Sequence, residues 1–153
     1  MRPTRWSWFE GHRLVQLGVL LFLLGLLGGF IVRVFAVPRL GVAAHLLGVF
    51  QGMLLMIFGL LWPRLNLKRT ASVVGFWMAA YSCFASWAVT VLAAVWGAGG
   101  SMMPIAAGQN HGSAAQEGII AAGLFTSAIA LIVVTVLILK GLGGLIPESS
   151  DKW

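Results

Sequence analysis

Residues 40–62 read LGVAAHLLGVFQGMLLMIFGLLW, without a single Lys, Arg, Asp or Glu. A helix rises 1.5 Å per residue, and roughly 20 apolar residues carry it across a hydrocarbon core about 30 Å thick. The stretch lacks the polar–apolar alternation of a barrel strand and is too long for one. It predicts a membrane-spanning helix. Working outward, the same reading applies to 14–32, 71–97 and 114–139. Short connections between such spans place neighbours antiparallel. The expected fold is all-α: a four-transmembrane-helix antiparallel bundle, an integral membrane protein forming one domain over 1–153.

The rest of the chain agrees with that reading. Of 153 residues, 59% are apolar and 9% are charged, against about 25% charged in soluble domains. This excludes a soluble globular enzyme, a disordered segment and a nucleic-acid-binding domain. The formal charge of +6 is spread over span ends and forms no basic face. Cys83 is the sole cysteine, so a disulfide framework, a thiolate zinc site and a Cys-ligated iron–sulfur cluster are all excluded.

Orientation follows from the short loops, where Lys and Arg stay on the cytoplasmic side. Arg2, Arg5, Arg13, Arg64, Lys68, Arg69, Lys140 and Lys152 fall on one side, and Arg33 and Arg39 on the other. Both termini are expected in the cytoplasm. The apolar run 14–32 is too long for a signal-peptide core and ends without a small-x-small cleavage site, so it reads as a retained span. The residues after Gly144 read as a short solvated tail.

Helices in lipid approach through small residues. The third span offers Ala79, Cys83, Ser86, Thr90, Ala93 and Gly97 on one face, at alternating spacings of four and three. The second offers Gly48 and Gly52, with Gly59 two turns on. The fourth begins with Ala114, Ala115, Gly118, Ala121 and Ala122. All of these are expected at helix contacts. Trp6, Trp8, Trp62 and Trp96 fit the interfacial aromatic belt, while Trp77 and Trp87 lie deeper.

Ionisable groups inside a bilayer are expensive and point to function. His45 lies about a turn and a half inside the second span, with Gly48, Gln51 and Gly52 read as its neighbours on the same face. The glycines clear space for something large and flat. Alternatively, His45 bonds a neighbouring helix or faces headgroups. The third span adds Tyr81, the only tyrosine, with Ser82, Ser86 and Thr90. The loop before the fourth span concentrates polarity in Gln109, Asn110, His111, Ser113, Gln116 and Glu117. There, Ser113 with Gln116 has the spacing of a capping box. Glu117 is the only acid between Glu10 and Glu148, so within the membrane it must be neutral, hydrogen-bonded or paired. His12, beside Arg13, reads as solvated.

The chain holds no HExxH, CxxC, GxGxxG, P-loop or GxSxG pattern. His111 sits in a loop, so a second deep histidine for a bis-ligated haem is missing. One deep histidine suits a five-coordinate haem with an open iron position.

Several segments together resemble a known family. They are Pro38-Arg39-Leu40-Gly41-Val42-Ala43-Ala44-His45-Leu46-Leu47-Gly48, Gly59-Leu60-Leu61-Trp62-Pro63-Arg64-Leu65, Ala93 through Ala106, and Gly112-Ser113-Ala114-Ala115-Gln116-Glu117. They resemble the hydroxylaminobenzene mutases, small bacterial membrane enzymes of nitroaromatic metabolism, over roughly 11–140. A more distant likeness is to styrene oxide isomerase, a trimer with haem b at its subunit contacts. That resemblance implies haem b with iron on His45, a site near Gly48 and Gly52, and a homotrimer in the bacterial inner membrane. The isomerase's axial His is followed six residues later by an Asn, where Gln51 stands here. Its third-helix Asp and Tyr fall near Ser82 and Thr90, which do not match. Gln51, Tyr81, Ser86, Asn110, His111 and Glu117 are therefore the candidate substrate-handling groups.

The implied reaction turns N-phenylhydroxylamine into 2-aminophenol, moving oxygen from nitrogen to the ortho carbon with no net redox change. Iron acting as a Lewis acid on the hydroxylamine oxygen would ease N–O cleavage. An apolar cavity would exclude water, and the polar groups would orient the N–H and relay the ring proton. Two alternatives remain at this point: an aryl epoxide isomerase, and a small non-enzymatic transporter subunit.

Overall fold

The structure is a computed structural model describing residues 5–143. Arg2, Glu148, Lys152 and the expected solvated tail lie outside the described residues. Four long helices, α1 (Arg5–Phe30), α2 (Pro38–Leu61), α3 (Arg69–Trp96) and α5 (Ala114–Gly143), are joined by two short connections and by the longer loop 97–113. A single-turn helix, α4 (Pro104–Ala107), lies in the loop before α5. All four long helices are long and apolar enough to cross a membrane, so the chain is a multi-pass membrane protein. α1 starts nine residues before the expected span, because helix continues through the aromatic, charged segment that hydropathy alone cuts off.

Local chemistry explains the ends. α2 opens with Pro38 in its first turn, where the missing N–H is no loss. α3 stops at Gly97, whose φ of +65° is left-handed, a conformation glycine adopts freely. At the start of α5 the Ser113 amide donates to Gln116 Oε1 at 2.8 Å and the Gln116 amide to Ser113 Oγ at 3.3 Å. This is the reciprocal capping box that the sequence predicts.

The helices pack as an open row. α1 lies chiefly on α2, α2 on α3, and α3 on α5. The seam between α1 and α2 is a glycine zipper. A Cβ on Gly18 would sit 2.7 Å from the Gly52 carbonyl oxygen, and one on Gly11 2.7 Å from that of Gly59. A Cβ on Gly25 would sit 2.6 Å from the Val49 amide. No real Cβ survives such contacts, so the backbones approach as closely as they do only because both sides are glycine.

The small-residue stripe of α3 is buried as expected from Ala79 to Ala93, with Ala79, Cys83 and Ala93 wholly enclosed, while Gly97 at its end is half-buried. Cys83 joins Leu14, Leu21, Leu55, Phe58 and Val134 in the larger core cluster. The small residues opening α5 behave otherwise. Ala114, Ala115, Gly118 and Ala122 are exposed, and a Cβ on Gly118 would touch nothing. α5 instead buries Ile120, Ser127, Ala130, Val134 and Ile138, a seam set by its single neighbour α3. Trp62 also departs from expectation: it is 1% exposed and belongs to the core, not to the interfacial belt.

Candidate functional site

His45 is half-buried on α2 and turned toward α1. Its Nδ1 lies 2.7 Å from the carbonyl oxygen of Gly25. A carbonyl only accepts, so Nδ1 carries the proton and donates it. The lone pair of the neutral ring is then on Nε2. Nε2 has no hydrogen-bond partner among the described residues. The ring rests over Gly29, where a Cβ would come within 2.8 Å of Nδ1. Thus α1 contributes a carbonyl and a bare backbone surface that together fix the plane of the imidazole.

Gly48 and Gly52 do not hold open a slot beside His45. A Cβ on Gly48 would meet Gly25 Cα at 2.7 Å and the Trp87 indole at 2.8 Å. One on Gly52 would meet the Phe22 amide at 2.5 Å. The expected flat space is filled by α1 and Trp87. Gln51 likewise does not share the face of His45. Six residues at 100° each place it a third of a turn away, toward α3. There Cys83 Sγ donates to Gln51 Oε1 at 3.1 Å, Gln51 Nε2 donates to Ser86 Oγ at 3.3 Å, and Ser86 Oγ donates to the Cys83 carbonyl at 3.2 Å. Gln51 and Ser86 thus join α2 to α3 in a closed polar knot within the apolar interior, in which no buried side-chain N or O atom is left without a partner.

Tyr81 faces the other edge of the row. Its hydroxyl pairs with Thr126 Oγ1 of α5 at 2.8 Å. His45 lies seven residues from the start of α2 and Tyr81 fifteen from the end of α3. At 1.5 Å per residue that is about 10 Å against about 22 Å below the loop end of the bundle. One chain does not bring the two side chains together.

The loop 97–113 is organised by Glu117. Its Oε1 accepts the amides of Gly99 at 2.7 Å, Gly100 at 3.1 Å and Gly112 at 3.1 Å. Its Oε2 accepts the Ser101 amide at 3.2 Å and hydroxyl at 2.7 Å. Five donors surround it, so the carboxylate is held as an anion, with no cation paired to it among the described residues. The candidates Asn110 and His111 ride on this loop and are exposed. Asn110 Nδ2 donates to the Ala107 carbonyl at 2.9 Å, and the His111 ring packs over Gly100. A hollow of about 510 Å³ at this end is lined by Arg39 and residues 102–106; His45 is not in its wall.

One polar cluster escapes a sequence reading. At the terminal end the Trp62 indole N–H donates to Glu10 Oε2 and to Ser72 Oγ, each at 3.0 Å, and the Ser72 hydroxyl donates to Glu10 Oε2. It ties α1, the end of α2 and α3 together. The three residues lie far apart in the chain, and no motif links them. Among the described residues no three of His, Cys, Asp and Glu converge. His45 would therefore be a lone protein ligand to any metal.

The sequence model of the styrene oxide isomerase family matches residues 10–143. The chain is 52% identical over 131 residues to hydroxylaminobenzene mutase HabB of Ectopseudomonas oleovorans, spanning 86% of this chain and 80% of that one. It is 42% identical over 125 residues to hydroxylaminobenzene mutase HabA of the same organism, spanning 82% of this chain and 93% of the other. No solved structure matches it.

Proposed function

The chain belongs to the styrene oxide isomerase family and is an isomerase of the mutase type, and on that footing we propose that it rearranges N-phenylhydroxylamine to 2-aminophenol. The observation that carries this reading is the 52% identity to a relative named for hydroxylaminobenzene. An isomerase has no need of the transporter alternative.

His45 fits a haem ligand by its donor chemistry. Its Nδ1 proton is committed to Gly25, which fixes the tautomer that presents Nε2 to a metal, the arrangement typical of ligating histidines. Haem b on that nitrogen would supply Lewis-acid activation of the hydroxylamine oxygen. Gly25 and Gly29 hold the ring in orientation. Gln51 and Ser86 keep α2 and α3 in register through their closed knot. Glu117 positions the loop that bears Asn110 and His111. The apolar spans exclude water, which would otherwise capture the ring at the para carbon, and so favour return of oxygen to the neighbouring ortho carbon.

The open row of helices supports the homotrimer that the resemblance implies. Val42 and Leu46, flanking His45, are each 45% exposed, so the imidazole sits at an edge that another copy can cover. We place the protein in the bacterial inner membrane with both termini in the cytoplasm, on the charge of its loops.

The test is an assay of membranes holding the full chain. We expect 2-aminophenol from N-phenylhydroxylamine, with no oxygen taken up from isotopically labelled water. Extensive label in the product would overturn intramolecular transfer. Because the family model carries the name styrene oxide isomerase, aryl epoxide isomerisation is the second reading. Turnover of styrene oxide with none of the hydroxylamine would establish it in place of the first.

A further inference from the structure

Between α3 and α5 lies a groove of about 400 Å³, lined by Trp77, Met78, Tyr81, Thr126, Ile129 and Ala130. It opens sideways, where the bilayer would be. Thr126 has one hydroxyl proton, and the Ala122 carbonyl takes it at 2.8 Å, a common arrangement for helical threonine. In the 2.8 Å pair with Tyr81, the phenol is therefore the donor and Thr126 the acceptor. The phenol oxygen keeps acceptor capacity that no described residue meets. Hydrocarbon offers it nothing. Beside it stands the Trp77 indole, 66% exposed and steadied edge-to-face by Phe76, with ring centroids 5.4 Å apart at 85°.

An aromatic wall, aliphatic neighbours and one lone acceptor select a particular kind of molecule. A cavity of roughly 150 Å³ already holds benzene, so the groove takes a single substituted ring with room to spare. An acyl chain fills the volume but leaves the phenol oxygen without a donor. We propose that this groove is a docking site for a monocyclic aromatic bearing an N–H or O–H donor, entered from the lipid and held by the Trp77 face and the Tyr81 oxygen. The identity of the occupant, an arylhydroxylamine, rests on the reaction proposed above. The site is distinct from His45, on another helix pair and about 12 Å nearer the terminal end. It gathers the substrate from the bilayer before reaction.

The experiment is photolabelling of the full chain in lipid nanodiscs with 4-azidoaniline, which carries a donor, and with phenyl azide, which does not. We expect 4-azidoaniline on 77–81 and 126–130, displaced by excess N-phenylhydroxylamine. We expect at least threefold less label there from phenyl azide, from Tyr81→Phe, and from Ile129→Trp, which fills the groove at an exposed position. In steady-state assays Tyr81→Phe should raise KM roughly three- to tenfold, the worth of one hydrogen bond, and Ile129→Trp should raise it at least threefold by filling the groove, with kcat within twofold for both. Label spread evenly over lipid-facing positions, or unchanged in both variants, overturns the site. A wild type that is inactive on N-phenylhydroxylamine but still labelled in the groove defeats the reaction reading, and it still supports the groove as an aromatic-donor site.

Discussion

The imidazole of His45 gives its Nδ1 proton to the carbonyl oxygen of Gly25, 2.7 Å away on the neighbouring helix. A side chain that is costly in a bilayer is thereby satisfied on one nitrogen and left basic on the other. The partner is a backbone oxygen, so no side-chain substitution on α1 removes the bond directly. What α1 controls by its side chains is the room the ring has.

Gly29→Ala tests that control. The new methyl would stand 2.8 Å from Nδ1, and the ring must swing or the bond to Gly25 must lengthen. We expect a weakened haem site, read as a shifted or diminished Soret band in purified protein, and activity lower by about tenfold, the effect of losing roughly 1.4 kcal/mol of support. Gly28→Ala, where a Cβ meets nothing, is the matched control and should behave as wild type.

The α1–α2 seam makes a separate prediction about stability. Gly52→Leu drives a side chain into the Phe22 backbone, at 2.5 Å for the Cβ alone. Overpacking of this sort costs about 1–3 kcal/mol or more. Thermal unfolding in detergent should show a lower midpoint or loss of folded protein. The same change at Gly143, where a Cβ has open space, should leave the midpoint unchanged.

Glu117 predicts an unusual failure of the conservative substitution. Every neighbour of its carboxylate is a donor. Glu117→Gln keeps a carbonyl oxygen for the Gly99, Gly100 and Gly112 amides but loses the anion and turns an amide N–H toward the Ser101 amide, so it should loosen the 97–113 loop, and Glu117→Ala should do so at least as much. Each change should cost about 2 kcal/mol, since hydrogen bonds to a charged group are among the stronger ones. Limited proteolysis of the loop in membranes measures this. Faster cleavage of both variants is the expected result, and rescue by Gln would contradict the account.

Much of the fold was legible in the sequence because length and hydropathy alone demand four spans. The stripe from Ala79 to Ala93 was legible for the same kind of reason, since period and residue size are local properties. The partner of the α2 glycines was not. Gly11, Gly18 and Gly25 recur at sevens, but only the docked pair shows that they meet Gly59, Gly52 and Gly48. Ala114, Ala115, Gly118 and Ala122 look like a contact face and are not one, because the face that α5 lays on α3 carries Ile120, Ser127, Ala130, Val134 and Ile138 instead. The site was legible in part. His45 and the loop acid Glu117 stand out by type in an apolar chain. The pairing of Gln51 with Cys83 and Ser86, and of Trp62 with Glu10 and Ser72, depends on how helices far apart in sequence meet.

The absorption spectrum of the purified full chain, taken beside that of His45→Ala at equal folded protein, tests the central claim most directly. The account predicts a Soret band in the wild type and none in the variant, with mutase activity lost alongside it. A colourless wild type that rearranges the hydroxylamine at full rate would contradict it.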